Sequence, residues 1–144
     1  MTQEQKDLLL KDLCSRLPYG VKVRYSSYEK FITCTLQAID YVYNNVDLWS
    51  KDACFNPVNI SKIKPYLFPL SSMTEEQYNE MQTISGKDCM EHMEIEKEWR
   101  NNSPFTHLPL YQHRVIEFFH KYHFDYRGLI PMGLAIDATG KNIY

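Results

Sequence analysis

At 144 residues, with 44% hydrophobic and 24% charged positions, the chain has the size and composition of one core-forming domain, not of a low-complexity or wholly disordered polypeptide. A formal net charge of −2 argues against the broad basic surface that drives non-specific nucleic-acid binding and leaves room only for a local patch. Four scattered cysteines, Cys14, Cys34, Cys54 and Cys89, form no C-x-x-C pair, so neither a zinc ribbon nor a disulfide framework is indicated and reduced thiols are expected. No stretch approaches the ~20 apolar residues of a membrane span, and a cytoplasmic location is expected.

Thr2 followed by Gln5 makes a capping box, and Leu9, Leu13 and Leu17 recur at helical spacing with Leu10 and Cys14 beside them, which predicts an amphipathic helix over residues 3–16. Pro18-Tyr19-Gly20 ends it. Val21, Val23 and Tyr25 alternate with Lys22 and Arg24, the period of a half-buried strand. A second strand follows at Phe31–Ala38, where Ile32, Cys34, Leu36 and Ala38 share a face. Ile39, Tyr41 and Tyr43 continue on the other parity, which predicts a bulge near Ala38-Ile39. Asn44-Asn45 is the expected hairpin turn and Val46–Trp49 the returning strand. Pro57, Pro65 and Pro69 restrict residues 51–70 to short edge strands.

Ser72 with Glu75, and Thr74 with Gln77, are overlapping helix-start signals for a helix running to about Ile84. A further helix is expected over Lys87–Arg100. A last one carries the stripe Leu108, Tyr111, Gln112, Val115, Phe119 and Tyr122, with Pro109 in its first turn. Gly128, Pro131, Gly133 and Gly140 break the tail into a short turn and an extended segment. Residues 1–70 hold nine Lys/Arg against seven Asp/Glu, residues 71–100 three against eight, and residues 101–144 four against three. The acidic block, Glu75 to Glu98, reads as exposed helix faces. The fold class is α+β: an N-terminal helix, a small bent antiparallel sheet or SH3-like partial barrel, and C-terminal helices. All of it forms one domain over 1–144, with the helix and sheet in 1–70 and mainly helices in 71–144.

Chemistry-bearing patterns are few. His113, Glu117 and His120 stand at i, i+4, i+7, where two imidazoles and a carboxylate could share a helix face opposite the Val115/Phe119/Tyr122 stripe. No recognised ligand motif accompanies them, so a solvated polar face without metal is expected. Cys89-x-x-His92 has neither a partner pair nor a catalytic signature, and phosphate-binding glycine words and a G-x-S-x-G elbow are absent. His123 is expected at a helix C-terminus, where a partly positive imidazole suits the dipole. No catalytic residue, metal or cofactor is assigned.

Asp125-Tyr126-Arg127-Gly128 is the most distinctive polar word. Arg127 could grip a phosphate or carboxylate while Tyr126 stacks on a ring. The preferred alternative is structural: Asp125 caps the following turn, Arg127 pairs with an acid such as one in the 91–98 block, and Tyr126 packs. Eleven residues are tyrosines. Tyr25, Tyr28, Tyr41 and Tyr43, with Lys22, Arg24 and Lys30, predict a sheet surface suited to a peptide or nucleotide, or else tyrosines that fill the core.

Three segments carry a resemblance: LLLKDLCSRLPYGVKV at Leu8–Val23, KPYLFPLSSMTEEQ at Lys64–Gln77, and HFDYRGLIPMGLAIDATGKNIY at His123–Tyr144. Together they resemble a group of short proteins of gut anaerobic bacteria and their phages, in which similar leader and tail segments flank a variable middle. Met81–His107 falls outside the matching words. The resemblance implies a non-enzymatic binding protein of phage or mobile-element origin, with a counter-defence role. It would engage a host protein or sequester a small anionic, nucleotide-like signal. Candidate ligand-binding residues are Tyr126, Arg127, Lys22, Arg24, Tyr25, Tyr41 and Tyr43. The competing readings are a small enzyme using the His/Glu or Cys/His sets and a nucleic-acid accessory protein using Lys22, Arg24 and Lys30.

Overall fold

The computed structural model describes residues 1–27, 30–85 and 112–144. The expected helix Lys87–Arg100, the start of the last helix with Leu108, Pro109 and Tyr111, and Tyr28, Cys89 and His92 lie outside the described residues.

Helix α1 (Gln3–Arg16) starts at the Thr2/Gln5 capping box, with both reciprocal bonds in place at 3.2 and 2.9 Å. Its buried stripe is Leu9, Asp12, Leu13 and Arg16, with Leu10 beside it, whereas Cys14, expected on that side, is exposed. Each fully buried leucine contributes about 1.5–3 kcal/mol relative to exposure, but Asp12 and Arg16 belong to the same stripe and need partners to be there at all. Gly20, at φ 65°, then turns the chain in the left-handed region that favours glycine.

Strands β1 (Lys22–Ser27), β2 (Lys30–Asp40), β3 (Asn45–Trp49), β4 (Cys54–Asn59), β5 (Ile63–Leu67) and β6 (Ile136–Asp137) form one mixed sheet in the order β4-β3-β2-β1-β5-β6. The sheet is antiparallel except for β5 and β6, and it is open. Alternation sets its two faces: Val23, Cys34, Leu36, Val46, Leu48, Val58 and Ile63 are buried under α1 and the tail. The bulge falls between Leu36 and Ala38, so Gln37 is the extra residue. Ala38, expected on the core face, is exposed, and Ile39 returns to the apolar side opposite Val46. Strand β4 is an edge strand as expected, but β5 is not: Ile63–Pro65 pairs with β1 and Tyr66–Leu67 with β6. Pro65 sits where one partner strand ends and the other begins.

Of the two helix-start signals, Thr74 and Gln77 cap α2 (Glu75–Ser85), while Ser72 closes a 3-10 turn by donating to the Pro69 carbonyl. Helix α3 (Gln112–Lys121) buries Val115, Phe118 and Phe119 against Leu70, Met81 and Phe124 in a second apolar cluster. The Lys121 ammonium and the Tyr122 hydroxyl both bond the Glu80 carboxylate, tying α3 to α2. Helix α3 ends on a left-handed residue, His123 at φ 58°, with the Phe124 N–H on the Phe119 carbonyl and the His123 N–H on the His120 carbonyl. That is the double bond pattern of a glycine-type helix stop, here made by a histidine. The chain then runs beside Phe68 through Phe68 N–H to His123 O and Asp125 N–H to Phe68 O, prolonging the line of β5.

Candidate functional site

Among the described residues two places gather charged side chains, one largely buried and one accessible. The first is built on α1. Arg16, fully buried, forks onto Asp12 with Nε–Oδ2 at 2.7 Å and Nη2–Oδ1 at 3.1 Å. Its remaining donors reach the carbonyl of Phe119 at 3.3 Å, which also accepts the Phe124 N–H, and that of Phe124 at 2.8 Å, just past the end of α3. Arg127 Nε donates to Asp12 Oδ1 at 3.1 Å, and its guanidinium lies 4.8 Å from the centre of the Tyr126 ring. Asp125 is buried and accepts the backbone N–H groups of Leu129 and Ile130 at 2.8 and 2.7 Å. Burial pushes its carboxyl above the ordinary range, against the pull of those two bonds. Tyr126 stacks on Phe119 and meets His120 Nε2 through its hydroxyl at 2.9 Å.

The Asp125-Tyr126-Arg127 word is therefore structural in its contacts: the aspartate caps a turn, the arginine is paired and the tyrosine packs. Among the described residues the acid that pairs with Arg127 is Asp12, on the first helix; the 91–98 block lies outside the described residues. The expected His113/Glu117/His120 face is split. His113 and Glu117 are exposed, whereas His120 is buried, and burial together with the Arg16 charge holds its imidazole down at about 4, neutral near pH 7. No group of three metal-ligating side chains occurs among the described residues. His123 differs from the expected charged imidazole: burial and the Arg16 charge depress it to about 4, so it is neutral, stacked 4.0 Å from the Tyr144 ring and buried with no partner for Nδ1 among the described residues.

Beside His123 lies a groove of about 370 Å³, walled by Phe68, Tyr122, Phe124 and Tyr144. Its polar rim is already engaged: Thr74 and Gln77 cap α2, Ser72 bonds Pro69, and Lys121 and Tyr122 bond Glu80. Of the polar groups that line it, His123 Nδ1 is left without a partner among the described residues.

The second place is the outer face of β1, β2 and β3, where Phe31, Thr33 and Trp49 are exposed. Register places Lys64 of β5, Arg24 of β1 and Thr33 of β2 in one row. Lys22, Thr35, Trp49 and Cys54 form the next. Phe31 ends the β2 side, 69% exposed, and Trp49 is 52% exposed. The Arg24 guanidinium lies 4.4 Å from the Phe31 ring centre, and Lys22 Nζ donates to Thr35 Oγ1 at 2.7 Å. None of Lys22, Arg24 and Lys64 makes an ion pair among the described residues, and Arg24 and Lys64 are directly opposed across β1 and β5, an unfavourable like-charge placement. Asp47 of β3 shares this face on the side of Trp49 away from Arg24.

The sequence-derived candidates thus separate into three groups. Lys22 and Arg24 come together on the outer face. Tyr25, one residue on, turns inward and packs on Phe55 with ring centres 5.0 Å apart. Tyr41 and Tyr43 stand with Val42 at the tip of the β2–β3 hairpin, all three strongly exposed, and Tyr126 with Arg127 joins the buried network. Phe31, Trp49 and Lys64 were missed as site residues. Phe31 and Trp49 carry a signal, an aromatic on the polar parity of an alternating strand. Compared with protein-family models, curated proteins and solved structures, the chain matches none.

Proposed function

We propose that the protein is a non-enzymatic binding protein that holds a nucleotide-like anion on the outer face of its sheet. The observation that carries this reading is the set of three cations, Lys22, Arg24 and Lys64, that make no ion pair among the described residues and are held side by side with an exposed ring at Phe31. Cations without carboxylate partners attract phosphate, and an exposed ring accepts the face of a base. The described residues offer no competing catalytic set, since His120 is sealed away from His113 and Glu117. The resemblance to short proteins of gut anaerobes and their phages favours a counter-defence setting, in which such a face would withdraw a nucleotide signal from a host. Calorimetric titration with ATP and with short oligothymidylates tests the reading. Binding that disappears in a Lys22→Gln/Arg24→Gln double variant with an unchanged melting curve supports it, and no binding by any of these anions rejects it.

The hairpin tip favours a second reading, engagement of a host protein. Tyr41, Val42 and Tyr43 are 61%, 79% and 71% exposed, a compact apolar projection of the kind enriched at interface centres. Replacing all three with Ser would abolish capture of a host protein without altering nucleotide binding.

A further inference from the structure

The spacing of the two exposed rings says more about the ligand than the cations do. Phe31 and Thr35 are four residues apart on one face of β2, and Trp49 pairs with Thr35 on the neighbouring strand. At about 3.3 Å per residue along a strand and about 4.8 Å between strands, the backbone positions of Phe31 and Trp49 are about 14 Å apart. Stacked bases are about 3.4 Å apart, so one nucleotide can occupy one ring but cannot reach both. Between the rings lie Thr33 and Thr35 of β2, while Arg24 and Lys22 stand beside them on β1 and Lys64 beyond Arg24 on β5. Two flat platforms separated by hydroxyls and bordered along one side by cations match a chain whose bases lie on the rings and whose phosphates run along that side.

We propose, resting on the binding role above, that the ligand of this face is a short single-stranded oligonucleotide, its bases stacked on Phe31 and Trp49 and its phosphates held by Lys22, Arg24 and Lys64. A single strand leaves its bases free to lie on aromatic side chains, which a duplex does not. An acidic peptide would use the cations but gain little from two widely spaced rings. The overall charge of −2 makes long-range attraction small, so stacking carries much of the affinity and the salt dependence is shallow. With three phosphates neutralised and about 0.7 counterions released for each, log K falls with log salt at a slope of about −2.

The test is a titration of the whole chain with thymidine monophosphate, hexathymidylate and a hexaglutamate peptide, read by calorimetry. Hexathymidylate is expected to bind at least tenfold more tightly than the monophosphate. Phe31→Ala and Trp49→Ala should each cost at least fivefold on the hexamer with melting curves unchanged. Equal affinity for monophosphate and hexamer overturns this proposal while leaving the anion-binding role in place, and hexaglutamate binding as tightly as the hexamer assigns the face to acidic peptides instead. Absence of binding by all three removes both readings. If either alanine variant melts early, Phe31→Leu and Trp49→Leu preserve apolar bulk without a flat ring, and an undiminished affinity in them also overturns the proposal.

Discussion

Asp12, Arg16 and Arg127 on one side of the molecule, and Lys22, Arg24 and Lys64 on the other, show the fold treating charge in opposite ways. In the first group every charge has a partner of opposite sign, and Arg16 has two carbonyls besides. In the second, like charges are set next to one another with no ion pair among the described residues. A buried, fully bonded arginine specifies how pieces of chain meet, whereas a row of unpaired cations costs a little stability and is explained by something that arrives from outside. The distinctive polar word of the tail belongs to the first category, and the unremarkable alternation of β1 to the second.

The contrast breaks most readily at Asp12. Asp12→Ala leaves the fully buried Arg16 and the adjacent Arg127 without a counter-charge, and urea unfolding should show a loss of about 3–5 kcal/mol. A loss below about 1 kcal/mol would mean that the network does not organise the fold. Acid gives the next largest effect. His120 and His123 titrate near 4 when folded and near 6.5 when unfolded, so between those values the unfolded chain binds more protons and stability falls as pH falls. At about 1.4 kcal/mol per unit of depression, the loss from pH 7 to 4.5 amounts to a few kcal/mol. His123→Asn, which tolerates the left-handed backbone at that position, should flatten the curve in that window. A curve unchanged by this substitution would place the titration elsewhere.

Arg127→Ala is milder. The side chain is 22% exposed and Asp12 keeps its bonds to Arg16, so a loss of about 1–2 kcal/mol in thermal unfolding is expected. Anion binding should be unaffected, and weakened binding would merge the two groups that the structure keeps apart. Smallest in stability is Lys64→Gln. Relief of its opposition to Arg24 makes the change neutral or slightly stabilising, within about 0.5 kcal/mol, while affinity for hexathymidylate drops. A destabilised variant with unchanged affinity would reverse both assignments.

Local features were legible and long-range ones were not. The capping boxes of α1 and α2, the alternation of β1 and the bulge in β2 each rest on residues within a few positions of one another. Their cause therefore stands in the sequence, and the bulge was misplaced only by a residue or two. The partner of Arg127 could not be found in this way, because Asp12 is 115 positions away and becomes a neighbour only when α1 meets the tail. A sign of the network was nonetheless visible: Asp12 and Arg16 stand at i and i+4 within the leucine stripe of α1, a place where charges survive only if paired. His120 was misjudged because it lies at the margin between the polar and apolar sides of α3, where the packing of Tyr126 decides. The two platforms, Phe31 and Trp49, lie on different strands, so their relation depends on register rather than spacing.

The bonds from Arg16 to the Phe119 and Phe124 carbonyls and from Arg127 to Asp12 span 103, 108 and 115 positions, which sets an order of events during synthesis. At roughly 5–20 residues per second, α1 leaves the ribosome on the order of ten seconds before the segment that completes its partners. In that interval Asp12 and Arg16 can satisfy only each other, and the leucines around them cannot be sealed without also burying open guanidinium donors. Docking of the first helix is therefore a late step that waits on the last quarter of the chain. Loop-closure entropy for separations this long slows the step further, so the assembly rate is governed by topology more than by the helix propensity of α1.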